Sequence, residues 1–159
     1  KAVEATDVSV GIAFSSAAAA GTIIAVKTEG NLGKGLDGKY LQTLMYTSAD
    51  LAAGADLTDV PFGVTIKNGE ILGIVVISTG AAAGIDDANT SVFSVDNGAD
   101  TVASFTFNTA NVFPAAGAAQ ELTLDETAVS AGDVLTLSVT NGATADLPIF
   151  MVQVVVALD

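Results

Sequence analysis

The residues of this chain that could do chemistry are chiefly oxygen donors. Its 159 residues include 18 acidic side chains and 5 lysines, and no cysteine, histidine, arginine or tryptophan. Without histidine the commonest general base and transition-metal ligand is missing. Without cysteine there is no thiol nucleophile, no disulfide and no structural zinc site of the usual kind. A Ser–His–Asp or Cys–His arrangement is therefore impossible within one chain. The densest oxygen clusters are Asp86-Asp87-Ala88-Asn89 and Asp96-Asn97-Gly98-Ala99-Asp100. Neither has the D-x-[DN]-x-[DN]-G spacing with a terminal Glu that builds a tight calcium loop, so they suit at most a weak structural cation. A glycosidase needs two carboxylates facing each other across a cleft. Among 18 acids some pair always qualifies, so such a pair carries no information. The aromatic platforms of a sugar cleft are also lacking, since the only tyrosines are Tyr40 and Tyr46. The glycine-rich stretch NLGKGLDGK (31–39) fails as a phosphate cradle, because Gly33-Lys34 is followed by Gly35 and by no helical pattern. The residues point away from an enzyme, and they call for no cofactor and no catalytic or metal site.

Composition narrows the remaining classes. Half of the residues are hydrophobic and 14% are charged, which suits a packed core and not a disordered chain. The length fits one ordinary domain or two small ones. A formal net charge of −13 repels phosphate, which excludes direct nucleic-acid binding as an expectation. The same charge keeps an apolar protein soluble. No run approaches the roughly 20 apolar residues of a membrane-spanning helix, and no charged n-region precedes an apolar core at the start. The expectation is no membrane partner and no signal peptide.

The positioning elements read as strands. GDVLTLSVTNG (132–142) alternates, with Leu135, Leu137 and Val139 on one face and Thr136, Ser138 and Thr140 on the other. LPIFMVQVVVAL (147–158) is apolar on both faces, interrupted only by Gln153, so it must be covered on both sides, by a second layer or by another subunit. Ile149 and Met151, on its second face, are candidate partner contacts. Period-two alternation predicts strands near 8–14, 22–28, 60–67, 71–78, 101–107, 133–140 and 148–157, with a further short one at 120–126. In 60–67, Val60, Phe62, Val64 and Ile66 are expected on one face. Asn68-Gly69, between two apolar runs, predicts a type I′ hairpin, and Asn97-Gly98 a second turn. TSADLAAGADLTD (47–59) has room for one helical turn. The small, glycine-bearing stretch 79–90 is the natural boundary, dividing the chain into an N-terminal β part (1–85) and a C-terminal β-sandwich part (86–159). The fold class is all-β, of the sandwich or barrel kind.

The segment from AGTIIAVKTEG through the Gly-Lys loop to VPFGVTIKNG and VVISTG (20–80) resembles the head decoration, or capsid cement, proteins of tailed bacteriophages. ELTLDETAVSAGDVLTLSVTNG (121–142) is similar to the β-sandwich or jelly-roll modules of phage virion proteins. The resemblance implies a non-catalytic virion protein on the outside of the capsid, bound to the major capsid protein and often trimeric. It also implies an N-terminal arm touching the shell, here residues 1–7, which makes Ala2, Val3, Thr6 and the adjoining Val8 candidate partner contacts. The second reading is a cell-surface structural or adhesive module, such as a pilin, a surface-layer domain or a glycan-binding sandwich.

Overall fold

The computed structural model describes residues 40–159. They form ten strands: β1 (Tyr40–Thr47), β2 (Leu57–Val64), β3 (Gly69–Ser78), β4 (Ser91–Asn97), β5 (Asp100–Phe107), β6 (Ala119–Glu121), β7 (Thr123–Leu124), β8 (Ala128–Val129), β9 (Val134–Asn141) and β10 (Phe150–Leu158). No helix occurs among the described residues, and the 47–59 stretch instead leads through a Leu51–Leu147 bridge into β2. Two antiparallel sheets make a β-sandwich. Sheet I runs β1-β10-β3-β6, with β8 also on β3, and sheet II runs β2-β9-β4-β5-β7. The expected strands 8–14 and 22–28, and the arm 1–7, lie outside the described residues.

The two closing strands are the axes of the two sheets. β10 lies between β1 and β3, and β9 lies between β2 and β4. Their alternation fills the space between the layers: Leu135, Leu137 and Val139 from one side, and Phe150, Val152, Val154 and Val156 from the other, are fully buried. Phe93, Phe107, Phe113 and Phe150 form an aromatic cluster, with edge-on contacts at centroid distances of 5.3 Å (Phe93–Phe107), 5.0 Å (Phe107–Phe113) and 5.0 Å (Phe93–Phe150). Such edge-to-face pairing favours one arrangement over a loosely packed one. The 79–90 loop joins β3 to β4, and strands from both sides of it pair in both sheets.

Three local expectations change. Asn68-Gly69 makes no hairpin. β2 pairs with β9 and β3 pairs with β10, so the chain crosses from sheet II to sheet I there. The crossing is pinned by Thr65. Its N–H donates to Asp133 O (2.9 Å), its carbonyl accepts from Gly132 N (2.8 Å), and its hydroxyl bonds to Ser130 O. Neither Asn68 nor Gly69 has a positive φ. Gly69 is needed for another reason, because a Cβ there would sit 2.2 Å from Ala157 O. The expected single face of 60–67 is also broken, because register shifts between Leu57 and Val60 and between Pro61 and Gly63 rotate the strand. Phe62 and Thr65 end up buried while Val64 and Ile66 are exposed. The 120–126 segment is two strands, since β6 pairs with β3 in sheet I and β7 with β5 in sheet II. Leu122 makes the switch, its side chain buried and its N–H donating to Ile74 O at 2.8 Å. The second turn does form a β4–β5 hairpin, but its two loop residues are Gly98 and Ala99. Asn97 pairs with Asp100, and Gly98 takes the positive φ of +65°.

Candidate functional site

The aspartates Asp86, Asp96 and Asp133 accept hydrogen bonds from within the fold. Asp86 Oδ1 accepts hydrogen bonds from the amides of Ala88 (2.8 Å) and Asn89 (2.7 Å) and from the Asn89 side chain. The Asn89 amide first, then that of Ala88, holds the Asp86 carboxyl below the ordinary aspartate range. Asp133 Oδ2 accepts from Ser130 N (2.8 Å) and Asn97 Nδ2 (2.7 Å). The Ser130 amide, then the Asn97 side chain, lowers its pKa likewise. Asp96 accepts from the hydroxyls of Ser94 and Thr101. These are turn-closing uses of Asp. Among the described residues no three His, Cys, Asp or Glu side chains converge as a cation site would require.

The distinctive surface is the outer face of sheet I. Cross-strand register sets Thr43, Val155 and Gly73 in one row, Met45, Gln153 and Val75 in the next, and Thr47, Met151 and Ile77 in the third. Leu41 faces Ala157 beyond them. Every one of these positions is uncharged. Carboxylates flank it, Glu70 opposite Ala157 and Glu121 opposite Val75, with Glu121 Oε1 reaching over Gly73. The outer face of sheet II is different, carrying Ser94, Asp96, Thr136, Ser138, Thr140, Ser104 and Thr106 around Val92, with the exposed Val64 and Val134 at one end. Both sheets bury their inner faces, so the contrast is between two outer faces: on sheet I an uncharged one where Val155, Met45, Val75, Met151 and Ile77 alternate with Thr43, Gly73, Gln153 and Thr47, and on sheet II one richer in hydroxyls. In a chain of net charge −13, nine neighbouring outer positions without a charge, five of them apolar, set this face apart.

Of the candidate contacts, Met151 lies half-buried in the middle of that face and Ile149 lies exposed just before β10. Ala2, Val3, Thr6 and Val8 lie outside the described residues. Leu41, Met45, Val75 and Ile77 belong to the same face and escaped the sequence reading. The available signal was that EILGIVVIS is apolar on both faces, as the closing run is.

A second set of exposed apolar side chains gathers where β1 meets the end of β2. Tyr40, Val64, Ile66 and Val134 are all exposed, and Lys67 Nζ lies 5.0 Å from the centre of the Tyr40 ring. Gln42 closes this seam. Its Nε2 donates to Val64 O (2.8 Å), and its Oε1 accepts from Ile66 N (3.2 Å). One amide side chain thus satisfies two backbone groups of the crossing segment.

No described protein family matches the chain, and no curated protein matches it. One solved structure, described as "Cyanophage Pam1 capsid asymmetric unit", contains a similar chain. The likeness covers 83% of this chain and 94% of that one, at a TM-score of 0.48 and 16% sequence identity.

Proposed function

We propose that the protein is a non-catalytic structural component of a phage virion that decorates and stabilises the outside of the capsid, with the major capsid protein as its partner. The observation that carries this reading is the difference between the two outer faces: an uncharged one on sheet I, with Val155, Met45, Val75, Met151 and Ile77 at its centre, and one richer in hydroxyls and carrying Asp96 on sheet II. A protein that sits on a shell needs one face to be covered and one to meet solvent. The resemblance of 20–80 and 121–142 to capsid cement and virion modules supports the same conclusion. Cementing requires only modest interfaces, because an oligomer that bridges several shell sites gains by effective concentration. A symmetric oligomer, a trimer by the resemblance, would bury Met151 and Ile149, and the 1–7 arm with Ala2, Val3 and Thr6, together with the adjoining Val8, would reach the shell. The net charge of −13 makes protein the fitting partner, not packaged nucleic acid.

A protein that binds only the assembled shell stabilises that shell by mass action. Particles depleted of it should release DNA at a lower temperature than complete ones, and adding back the purified protein should restore the higher temperature. Identical release curves at saturating protein would overturn the stabilising role. Failure to bind particles at all would favour the cell-surface reading.

A further inference from the structure

Sheet I has one edge that the described residues leave open. Beyond β3 the sheet ends in β6 and β8, three and two residues long. Sheet II ends on the two-residue β7 and on β2, which carries Pro61, two register shifts and Asp59 at a φ of +46°. Short strands, proline and bulges are common means of stopping an edge from recruiting another strand. β1 has none of them. It is eight residues long, pairs with β10 without a shift, and contains no glycine, proline or charge. In that same register Ser48 N donates to Phe150 O at 2.9 Å. The alternation of an antiparallel ladder then turns the amides of Leu44 and Tyr46 toward β10 and those of Thr43 and Met45 away from it. Among the described residues β1 has β10 as its sole strand neighbour.

Charge distinguishes the possible occupants. Residues 40–159 hold 14 acidic side chains against Lys67 alone, whereas residues 1–39 hold four lysines against four acids. Edge-to-edge pairing with a second copy would bring two strongly acidic sandwiches together, while the preceding segment adds no net charge. That segment contains a short apolar run rich in β-branched residues, TIIAVKT (22–28), with Lys27 inside it. Residues 29–39, with glycines at 30, 33, 35 and 38, separate it from Tyr40. Closing a loop of that length costs little and keeps the run at high local concentration beside β1.

We propose that residues 22–28 dock on the open edge of β1 within the same chain, as an antiparallel sixth strand that caps sheet I. The proposal stands independently of the virion reading, because it concerns an edge that any function would have to protect. The test is residue-resolved amide hydrogen exchange on the full chain, with Ala25→Pro as the variant and Ala17→Pro as the control. In the native chain the outward amides of Thr43 and Met45 should be protected alongside the inward ones of Leu44 and Tyr46. Ala25→Pro should speed exchange at Thr43 and Met45 by about tenfold or more, the order expected for losing ladder hydrogen bonds, and leave Leu44 and Tyr46 unchanged. Ala17→Pro should behave as the native chain. Exchange of Thr43 and Met45 at free-peptide rates in the native chain would overturn the proposal. So would protection that disappears on dilution, since that would put another copy on the edge. If Ala25→Pro fails to fold, the native pattern and its concentration dependence still decide.

Discussion

Asp133 shows what the acidic residues do in this protein. It sits in the turn before β9 and accepts from the Ser130 amide and the Asn97 side chain. Its folded pKa is lowered, so its stabilising contribution is fully present above the ordinary aspartate range, about pH 4, and is lost as pH falls through the lower folded value. Asp133→Ala should therefore lower the melting temperature at neutral pH, and the gap to the native chain should close in acid; a gap independent of pH would mean that the charge is irrelevant. Gly69 makes the complementary case, in which a missing atom matters. A methyl group there would meet Ala157 O at 2.2 Å, and the atoms in the way are backbone, which has little room to move. Gly69→Ala should cost about 1–3 kcal/mol in urea unfolding, the range of overpacking. A neutral result would show that the β3–β10 end can shift.

At the scale of elements, the instructive segment is the short one that changes sheets. β6 and β7 are separated by Leu122 alone, yet they belong to different layers. Leu122 ties the layers at that edge, its side chain in the core and its N–H on Ile74 O. Leu122→Ala should lose about 2–5 kcal/mol, the usual cost of emptying such a site. Hydrogen exchange should then loosen β6 and β7 together while β9 and β10 keep their protection until global unfolding. Loosening of β6 alone would show that the two short strands are energetically independent. The Thr65 crossing works by the same logic, with a buried hydroxyl and both backbone groups tied to 130–133, so that the passage between layers leaves no orphaned polar group.

On the proposed function, assembly should be sensitive to the outer face of sheet I and not to that of sheet II. Met151→Lys places a charge in the middle of the outer face of sheet I, on a side chain that the fold leaves half-exposed. Its effect on the stability of an isolated chain should stay within about 1 kcal/mol. Association should be lost, as read by light scattering for the oligomer and by co-sedimentation for particle binding. Thr136→Lys, on the outer face of sheet II, should leave both intact. Equal effects from the two substitutions would deny the faces their separate roles.

Sequence alone determined the all-β class, the positions of β3, β5, β9 and β10 to within a residue or two, and the inward set Leu135, Leu137 and Val139. It also marked the closing run as apolar on both faces and left the acids without histidine or cysteine in the chain. These are local properties: period-two alternation, the turn preferences of glycine and asparagine, and the absence of residue types. Only the tertiary structure decided which strands pair. Asn68-Gly69 looked like a hairpin because the local pattern is the same whether the next strand returns beside β2 or crosses to the other layer. The crossing follows from hydrogen bonds to residues 130–133, more than sixty positions away. The division of 120–126 between two sheets and the exposure of Ile66 in place of Thr65 have the same origin. So does the uncharged outer face, because Leu41, Met45, Val75 and Ile77 become neighbours of Met151 and Val155 only once strands distant in sequence are in register. A strand's faces are written in its own residues, but which face is core and which is interface depends on the partners it meets.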